Sequence, residues 1–133
     1  MAKRKPKTDW GSMGAFALPR RLMYRPEFEN LSPKATKVLL VLGKAYNGRN
    51  NGNLAATESI MVTNGGMDKK TLASALRELI DCGLIIKTRE PRKGSKETGM
   101  ARCALYGLAW VVIDECPGAD LDVKPGSAPF KFA

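Results

Sequence analysis

The apolar residues between positions 67 and 84 recur with the spacing of one face of an α-helix. They stand at i, i+3, i+4, i+7 and i+8, and they are Leu72, Ala75, Leu76, Leu79 and Ile80. Asp68 precedes them, where a carboxylate accepts hydrogen bonds from the free amides of the first turn and suits the positive end of the helix dipole. Gly83 follows them, where a left-handed residue commonly ends a helix. The pattern predicts a well-bounded helix in this stretch.

The opposite face of this predicted helix is polar and positively charged. It carries Lys69, Lys70, Ser74 and Arg77. Two lysines in the first turn oppose the helix dipole, so local helix stability does not account for them. Either water or a partner with negative charge can satisfy such a face. An ion pair with Asp81, one helical turn further on, is an alternative use for Arg77.

A second helix is predicted from Lys34 to about Tyr46. Ser32 is placed to cap its N-terminus, and Pro33 stands at its first helical position. Its predicted core residues are Ala35, Val38, Leu39, Leu42 and Tyr46. A shorter helix is expected to begin near Pro26, and residues 16–19 are predicted to form an extended segment laid on the domain.

Residues 47–52, Asn-Gly-Arg-Asn-Asn-Gly, are rich in types that tolerate a positive φ. A phosphate cradle is one interpretation. A helix end followed by a tight turn is favoured, because no helix start with a lysine follows the glycines. The chain then predicts a strand at 53–56, a helix from 57 or 58 to 63, and a turn at 64–66.

Two strands, Leu84–Arg89 and Ala101–Leu108, are predicted on either side of a basic loop. A helix–turn–helix followed by a hairpin with a basic tip is the arrangement of a winged helix–turn–helix. The expected fold class is therefore α+β, with a three-helix core, a small antiparallel sheet and a β-hairpin wing. The expected organisation is a flexible basic arm at 1–15, the winged-helix domain at 16–113 and an extended tail at 114–133.

The composition favours an anionic partner. The 133 residues include 22 Lys and Arg against 13 Asp and Glu, a net charge of +9, and the pI is about 9.7. The longest apolar run, Cys103–Ile113, is too short to span a bilayer, so no membrane partner is expected. There is no histidine, and the three cysteines are widely spaced, so neither a zinc site nor general base catalysis by histidine is expected.

Three stretches carry a resemblance to a known family: Leu31–Ala35, Tyr46–Gly52, and Lys70–Leu79 followed by Gly83-Leu84-Ile85. Across residues 16–110 the chain resembles the winged helix–turn–helix proteins of bacterial and phage replication and regulatory genes. Its third stretch is similar to the pattern T-x-x-x-A-L-x-x-L-x-x-x-G-L-I of many winged-helix repressors. Stretches similar to the second occur in small proteins of proteobacterial mobile elements. The resemblance implies the architecture and a bacterial, cytoplasmic, nucleoid-associated protein, and it leaves the biological role open.

Together these features predict sequence-specific binding to double-stranded DNA by a transcription regulator or replication accessory of a mobile element, such as a plasmid or bacteriophage. The recognition helix is expected in the major groove, through Lys69, Lys70, Thr71, Ser74 and Arg77. The hairpin is expected on phosphates, through Arg89, Arg92, Lys93, Lys96 and Arg102. The arm is expected to enter a minor groove or add nonspecific attraction, through Lys3, Arg4 and Lys5.

Two other functions are weighed against DNA binding. One is a winged-helix module whose basic surface binds an acidic protein, such as a phage-encoded inhibitor of a host defence protein. The other is RNA binding, which is disfavoured because no aromatic cluster stands on a predicted strand face. No enzyme activity, cofactor or small-molecule substrate is expected.

The assembly is predicted from the segments that flank the minimal fold. A single winged helix reads few base pairs, so we hypothesise a homodimer. Its contacts are expected from Trp110 to Ile113, and from Phe130 and Phe132. The alternative, which is equally favoured, is that Trp110 and the branched residues after it pack in the core of their own domain.

Overall fold

A computed structural model describes residues 9–94, 99 and 101–132 of the chain. Within these residues the protein has an α+β fold with five helices and one two-stranded antiparallel sheet. The α+β class expected from the sequence is confirmed. The elements, in chain order, are α1 Arg20–Met23, α2 Pro26–Glu29, α3 Pro33–Ala45, α4 Glu58–Val62, α5 Lys69–Asp81, β1 Ile85–Arg89 and β2 Leu105–Leu108.

Helix α3 begins and ends close to the predicted positions. The Oγ of Ser32 accepts a hydrogen bond from the Ala35 amide at 3.2 Å, and Pro33 occupies the first helical position. The predicted core stripe is buried, except that Tyr46 is only half-buried at the C-terminal end. A Cβ on Gly43 would lie 2.2 Å from a ring atom of Phe16, so the glycine lets the extended N-terminal segment pack directly on the helix.

Helix α5 is bounded as the sequence predicts. Asp68 accepts a hydrogen bond from the Thr71 amide at 2.7 Å, and Gly83 has a φ of +84° just beyond the last turn. Leu72, Ala75, Leu76 and Leu79 are buried against α3 and the sheet. Each fully buried leucine contributes roughly 2 kcal/mol of hydrophobic stabilisation, so the α3–α5 contact forms the centre of the core.

The sheet is smaller than the sequence suggests. Ile85 pairs with Leu108, and the register shifts between Lys87 and Arg89, which pairs with Leu105. Further along the described part of the hairpin, Arg92 and Arg102 form an isolated bridge. The predicted strand at 101–108 is therefore too long, because a bulge interrupts regular pairing.

The strand predicted at 53–56 is reduced to a single bridge between Leu54 and Tyr106. The amide of Tyr106 donates to the Leu54 carbonyl at 2.7 Å, and the reverse bond is 3.2 Å. Pairing does not extend toward the N-terminus, because the Asn53 amide donates to Asn50 in a turn and the Gly52 carbonyl accepts from the Thr88 hydroxyl.

The remaining helices are short. Helix α4 agrees with the predicted helix at 57–63, and α2 with the helix expected near Pro26. Helix α1 is missing from the sequence prediction, because four residues are too few to show a helical period. Its Leu22 is fully buried, which anchors the helix to the core.

Residues 114–132 form no helix or strand, and they lie along the domain. Ile113 and Gly126 form a bridge, and the Phe130 amide donates to the Ala109 carbonyl at 2.8 Å. The rings of Phe130 and Phe132 meet edge to face, with centroids 4.9 Å apart, and pack against the core. Trp110 packs near Phe16. The aromatic residues that the sequence offered for a dimer contact are thus already in contact with their own domain.

Candidate nucleic-acid interface

The polar face predicted for α5 lies on the surface of the protein. Lys69, Lys70, Ser74 and Arg77 are all exposed, because the opposite stripe of the same helix fills the core. In the described part of the chain, none of the three cations has an ion-pair partner, and Arg77 does not pair with Asp81. The face therefore presents positive charge on a rigid, well-packed helix.

The N-terminal end of this face is fixed by a cap. The side-chain hydrogen bond from Thr71 is the main cause that lowers the pKa of Asp68 below its ordinary value, and the bond from the Thr71 amide adds to it. The positive charge of Lys34 acts in the same direction. Thr71 is half-buried, with its amide bound to Asp68. The cap leaves Lys69 and Lys70 free to point into solvent.

A carboxylate clamps α5 to the start of α3. One oxygen of Glu78 accepts from the Ser32 amide at 2.8 Å, and the other accepts from the Ser32 hydroxyl at 2.7 Å. The backbone and side-chain hydrogen bonds from Ser32 lower the pKa of Glu78, and Lys34 adds to the effect. Because Ser32 also caps α3, this pair fixes the relative placement of the two long helices.

A groove of about 800 Å³ separates α5 from the hairpin. Its walls are partly apolar and carry both signs of charge. They are formed by Ala73, Ser74, Leu76, Arg77, Ile80, Asp81, Lys87, Glu90 and Tyr106. Lys87 and Glu90 form an ion pair at 3.5 Å. Burial raises the pKa of the Tyr106 phenol, and Glu90 raises it further, so the phenol stays neutral. The groove shares Ser74 and Arg77 with the exposed polar face of α5, and it is less basic than that face as a whole.

Arg89, a predicted phosphate contact, is used to hold the hairpin together. Its Nε and Nη2 donate to the Cys103 carbonyl at 3.2 and 2.8 Å, and its Nη1 donates to the Ala119 carbonyl at 2.8 Å. These bonds join β1 to the opposite hairpin arm and to the C-terminal segment. The guanidinium is consequently occupied by backbone oxygens.

Arg102, another predicted phosphate contact, is held by the acidic C-terminal segment. Its guanidinium lies 3.0 Å from a carboxylate oxygen of Asp120 and 3.6 Å from one of Asp122, and Nε donates to the Glu90 carbonyl at 3.2 Å. Its side chain is only 18% exposed. Asp122 also accepts from the Glu90 amide at 2.8 Å, so the charges of the hairpin base are largely balanced within the chain.

The other predicted contacts are distributed differently. Arg92 and Lys93 are exposed on the hairpin, beyond the bulge. Lys96 of the hairpin and Lys3, Arg4 and Lys5 of the arm lie outside the described residues. The structure therefore leaves the four polar residues of α5 exposed, whereas the two arginines at the hairpin base are bound within the chain.

Asn51 holds the end of β2 through several hydrogen bonds, a role that the sequence did not predict. It is fully buried, and its Nδ2 lies 3.0–3.2 Å from the carbonyls of Leu108, Val111 and Val112. Its Oδ1 accepts from the Leu108 amide at 2.7 Å. The Asn-rich stretch is thus a helix end and turn, as favoured from the sequence, with one asparagine that fastens the end of β2. In the sequence, the Asn-rich stretch was the only feature that pointed to this residue.

No protein-family model matches the sequence, and searches of curated proteins and of solved structures gave no match either. In the described residues, no helix is long and apolar enough to cross a membrane. Across the same residues, no group of three or more cysteine and acidic side chains is placed to hold a metal ion.

Proposed function

We propose that this protein binds double-stranded DNA through a winged helix–turn–helix, with α5 as the recognition helix. In this assignment α3, α4 and α5 are the three core helices, and the hairpin of β1 and β2 is the wing. The bridge at Leu54, between α3 and α4, takes the place of the first strand. The order helix, bridge, helix, helix, hairpin supports the assignment.

The exposed cationic face of α5 is the observation that carries the proposal. Thirteen helical residues span about 20 Å, and the major groove, about 12 Å wide, admits an α-helix. Lys70 is suited to guanine acceptors, and Ser74 to the edge of either base of a pair. Because the clamp between Glu78 and Ser32 fixes α5 on the domain, the side chains are presented in a defined arrangement.

The biological role that fits is a transcription regulator or a replication accessory of a mobile element, working in the bacterial cytoplasm without catalysis of its own. A homodimer on paired half-sites remains our expectation for specific recognition. The packing of Phe130 and Phe132 within the chain leaves exposed residues such as Val112 for that contact.

Selection from a pool of random duplexes, followed by a salt titration on the enriched sequence, tests the proposal. We expect an enriched motif, and with about six phosphates neutralised we expect log K to fall against log salt with a slope near −5. A titration without duplex binding at low salt, or with a response that does not depend on salt, contradicts the proposal.

A protein partner is the second candidate function, and the groove between α5 and the hairpin favours it. Both signs of charge and an apolar wall suit a protein surface better than a phosphate backbone. The duplex selection separates the two functions, because an interaction module that binds only proteins gives no sequence enrichment.

A further inference from the structure

Two lysines of α3 lie beside the turn that leads into α5. The Cε of Lys37 is 3.9 Å from the position of a Cβ on Gly65, and the Nζ of Lys44 donates to the Oδ1 of Asn64 at 3.1 Å. The two lysines are seven residues apart, which is two helical turns, so they share one side of α3. Both are exposed.

This pair continues the positive charge of α5 onto a second element. Asn64 and Gly65 stand just before Asp68, the cap of α5, and Lys69 and Lys70 follow at once. Lys44 is bound to a neutral amide beside the turn, and within the described residues it has no carboxylate partner. Within the described residues Lys37 has no ion-pair partner.

The hairpin base offers much less positive charge. Arg89 donates to backbone carbonyls, and Arg102 is balanced by two carboxylates. A duplex whose major groove receives α5 has a phosphate backbone on each side of that groove. Lys37 and Lys44, beside the turn, have no carboxylate partners in the described residues, whereas the arginines at the hairpin base are already bound.

We propose that Lys37 and Lys44 form a phosphate-binding site beside the α4–α5 turn, and that they bind the backbone of the duplex that α5 enters. This inference rests on the proposed function. The site positions the protein on DNA without reading sequence, since phosphate contacts are the same for every base pair. It adds α3 to an interface that the sequence assigned to α5, the hairpin and the arm.

The test compares doubly substituted proteins in salt titrations on one duplex. In the variant Lys37→Ala/Lys44→Ala, two lost phosphate contacts should make the slope of log K against log salt shallower by about 1.8. Affinity at about 0.1 M salt should fall roughly tenfold or more, equally for selected and random duplexes. The variant Lys37→Arg/Lys44→Arg should retain the wild-type slope.

Two controls separate a contact from a general effect. The variant Lys124→Ala/Lys131→Ala also removes two exposed positive charges, from the C-terminal segment, and should change the slope by less than half as much. Asn64→Ala removes the partner of Lys44 without removing charge, so its slope should stay at the wild-type value. Thermal unfolding of each variant confirms that the fold is intact.

The results discriminate between this inference and the function on which it rests. A slope for Lys37→Ala/Lys44→Ala that equals the wild-type slope, or that of the Lys124/Lys131 control, overturns the inference alone. Absence of duplex binding by the wild-type protein overturns the inference and the proposed function together.

Discussion

The outer face of α5 and the base of the hairpin are both basic in sequence, but they differ in what their charges do. On α5, Lys69, Lys70 and Arg77 are exposed and unpaired within the described residues. At the hairpin base, Arg89 and Arg102 hold the sheet and the C-terminal segment together. A count of positive residues therefore overstates the charge that an anionic partner can reach. We therefore expect substitutions at the hairpin base to change stability, and substitutions on α5 to change binding.

The largest expected effect is on stability, at the asparagine that fastens the end of β2. Asn51→Ala takes the side-chain acceptor from the buried Leu108 amide and removes the side-chain donor to the Leu108 and Val111 carbonyls, so the free energy of unfolding should fall by about 3 kcal/mol. Chemical denaturation measures this. Asn53→Ala, at a nearby exposed position, should change the value by less than about 0.5 kcal/mol. Equal effects of the two substitutions would show that the hydrogen bonds of Asn51 do not stabilise the fold.

A binding effect of intermediate size is expected on α5. Lys70→Ala or Ser74→Ala should reduce the discrimination between selected and random duplexes by roughly 1–3 kcal/mol for a true base contact. Their unfolding free energies should stay within about 0.5 kcal/mol of wild type, because both side chains are exposed. Unchanged sequence preference in both variants would remove the major-groove assignment.

The matched substitution at the hairpin base should show the opposite behaviour. Arg102→Ala removes bonds to Asp120, Asp122 and the Glu90 carbonyl, so we expect a loss of about 1 kcal/mol in stability. Duplex affinity, measured well below the unfolding temperature, should change by less than about twofold. This is well short of a tenfold change, which corresponds to about 1.4 kcal/mol. Arg92→Ala, at an exposed hairpin arginine, is the comparison for an arginine that can reach phosphate. A larger loss of affinity from Arg102→Ala than from Arg92→Ala would reverse the assignment of the two regions.

The smallest effect concerns acid stability. Hydrogen bonds from Ser32 hold the folded pKa of Glu78 below its ordinary value of 4.5. The stabilisation is therefore fully present above that value and is lost as the pH falls through the lower, folded pKa. In Glu78→Gln the unfolding free energy should decline less steeply below about pH 4.5. Part of the decline should persist in this variant, because the pKa of Asp68 is also lowered. Identical acid profiles for variant and wild type would contradict the clamp.

The two long helices could be predicted because their caps and their apolar spacing lie within a few residues along the chain. Ser32 and Asp68 cap the helices that follow them, and the apolar spacing identifies the buried stripes. The first hairpin strand was predicted to within one residue. The strands at 101–108 and 53–56 were predicted too long, because neither the bulge between Lys87 and Arg89 nor the turn at Asn53 is visible in the apolar alternation.

The candidate site was only partly predictable for a different reason. The exposed face of α5 follows from helical periodicity, so Lys70 and Ser74 were found correctly as surface residues. The engagement of Arg102 depends on Asp120 and Asp122, which are 18 and 20 residues away and come close only when the C-terminal segment lies along the domain. Lys37 and Lys44 were missed because α3 and the α4–α5 turn meet only in the fold.

Titration of a selected duplex into isotopically labelled protein, followed through the backbone amide chemical shifts, shows which surface binds DNA. We expect the largest shifts in α5 from Lys69 to Arg77, at the α4–α5 turn, and around Lys37 and Lys44. The amides around Arg89, Arg102 and Asp122 should change little. Shifts concentrated at the hairpin base and the C-terminal segment, with α5 unaffected, would contradict the claim that α5 is the surface that meets DNA.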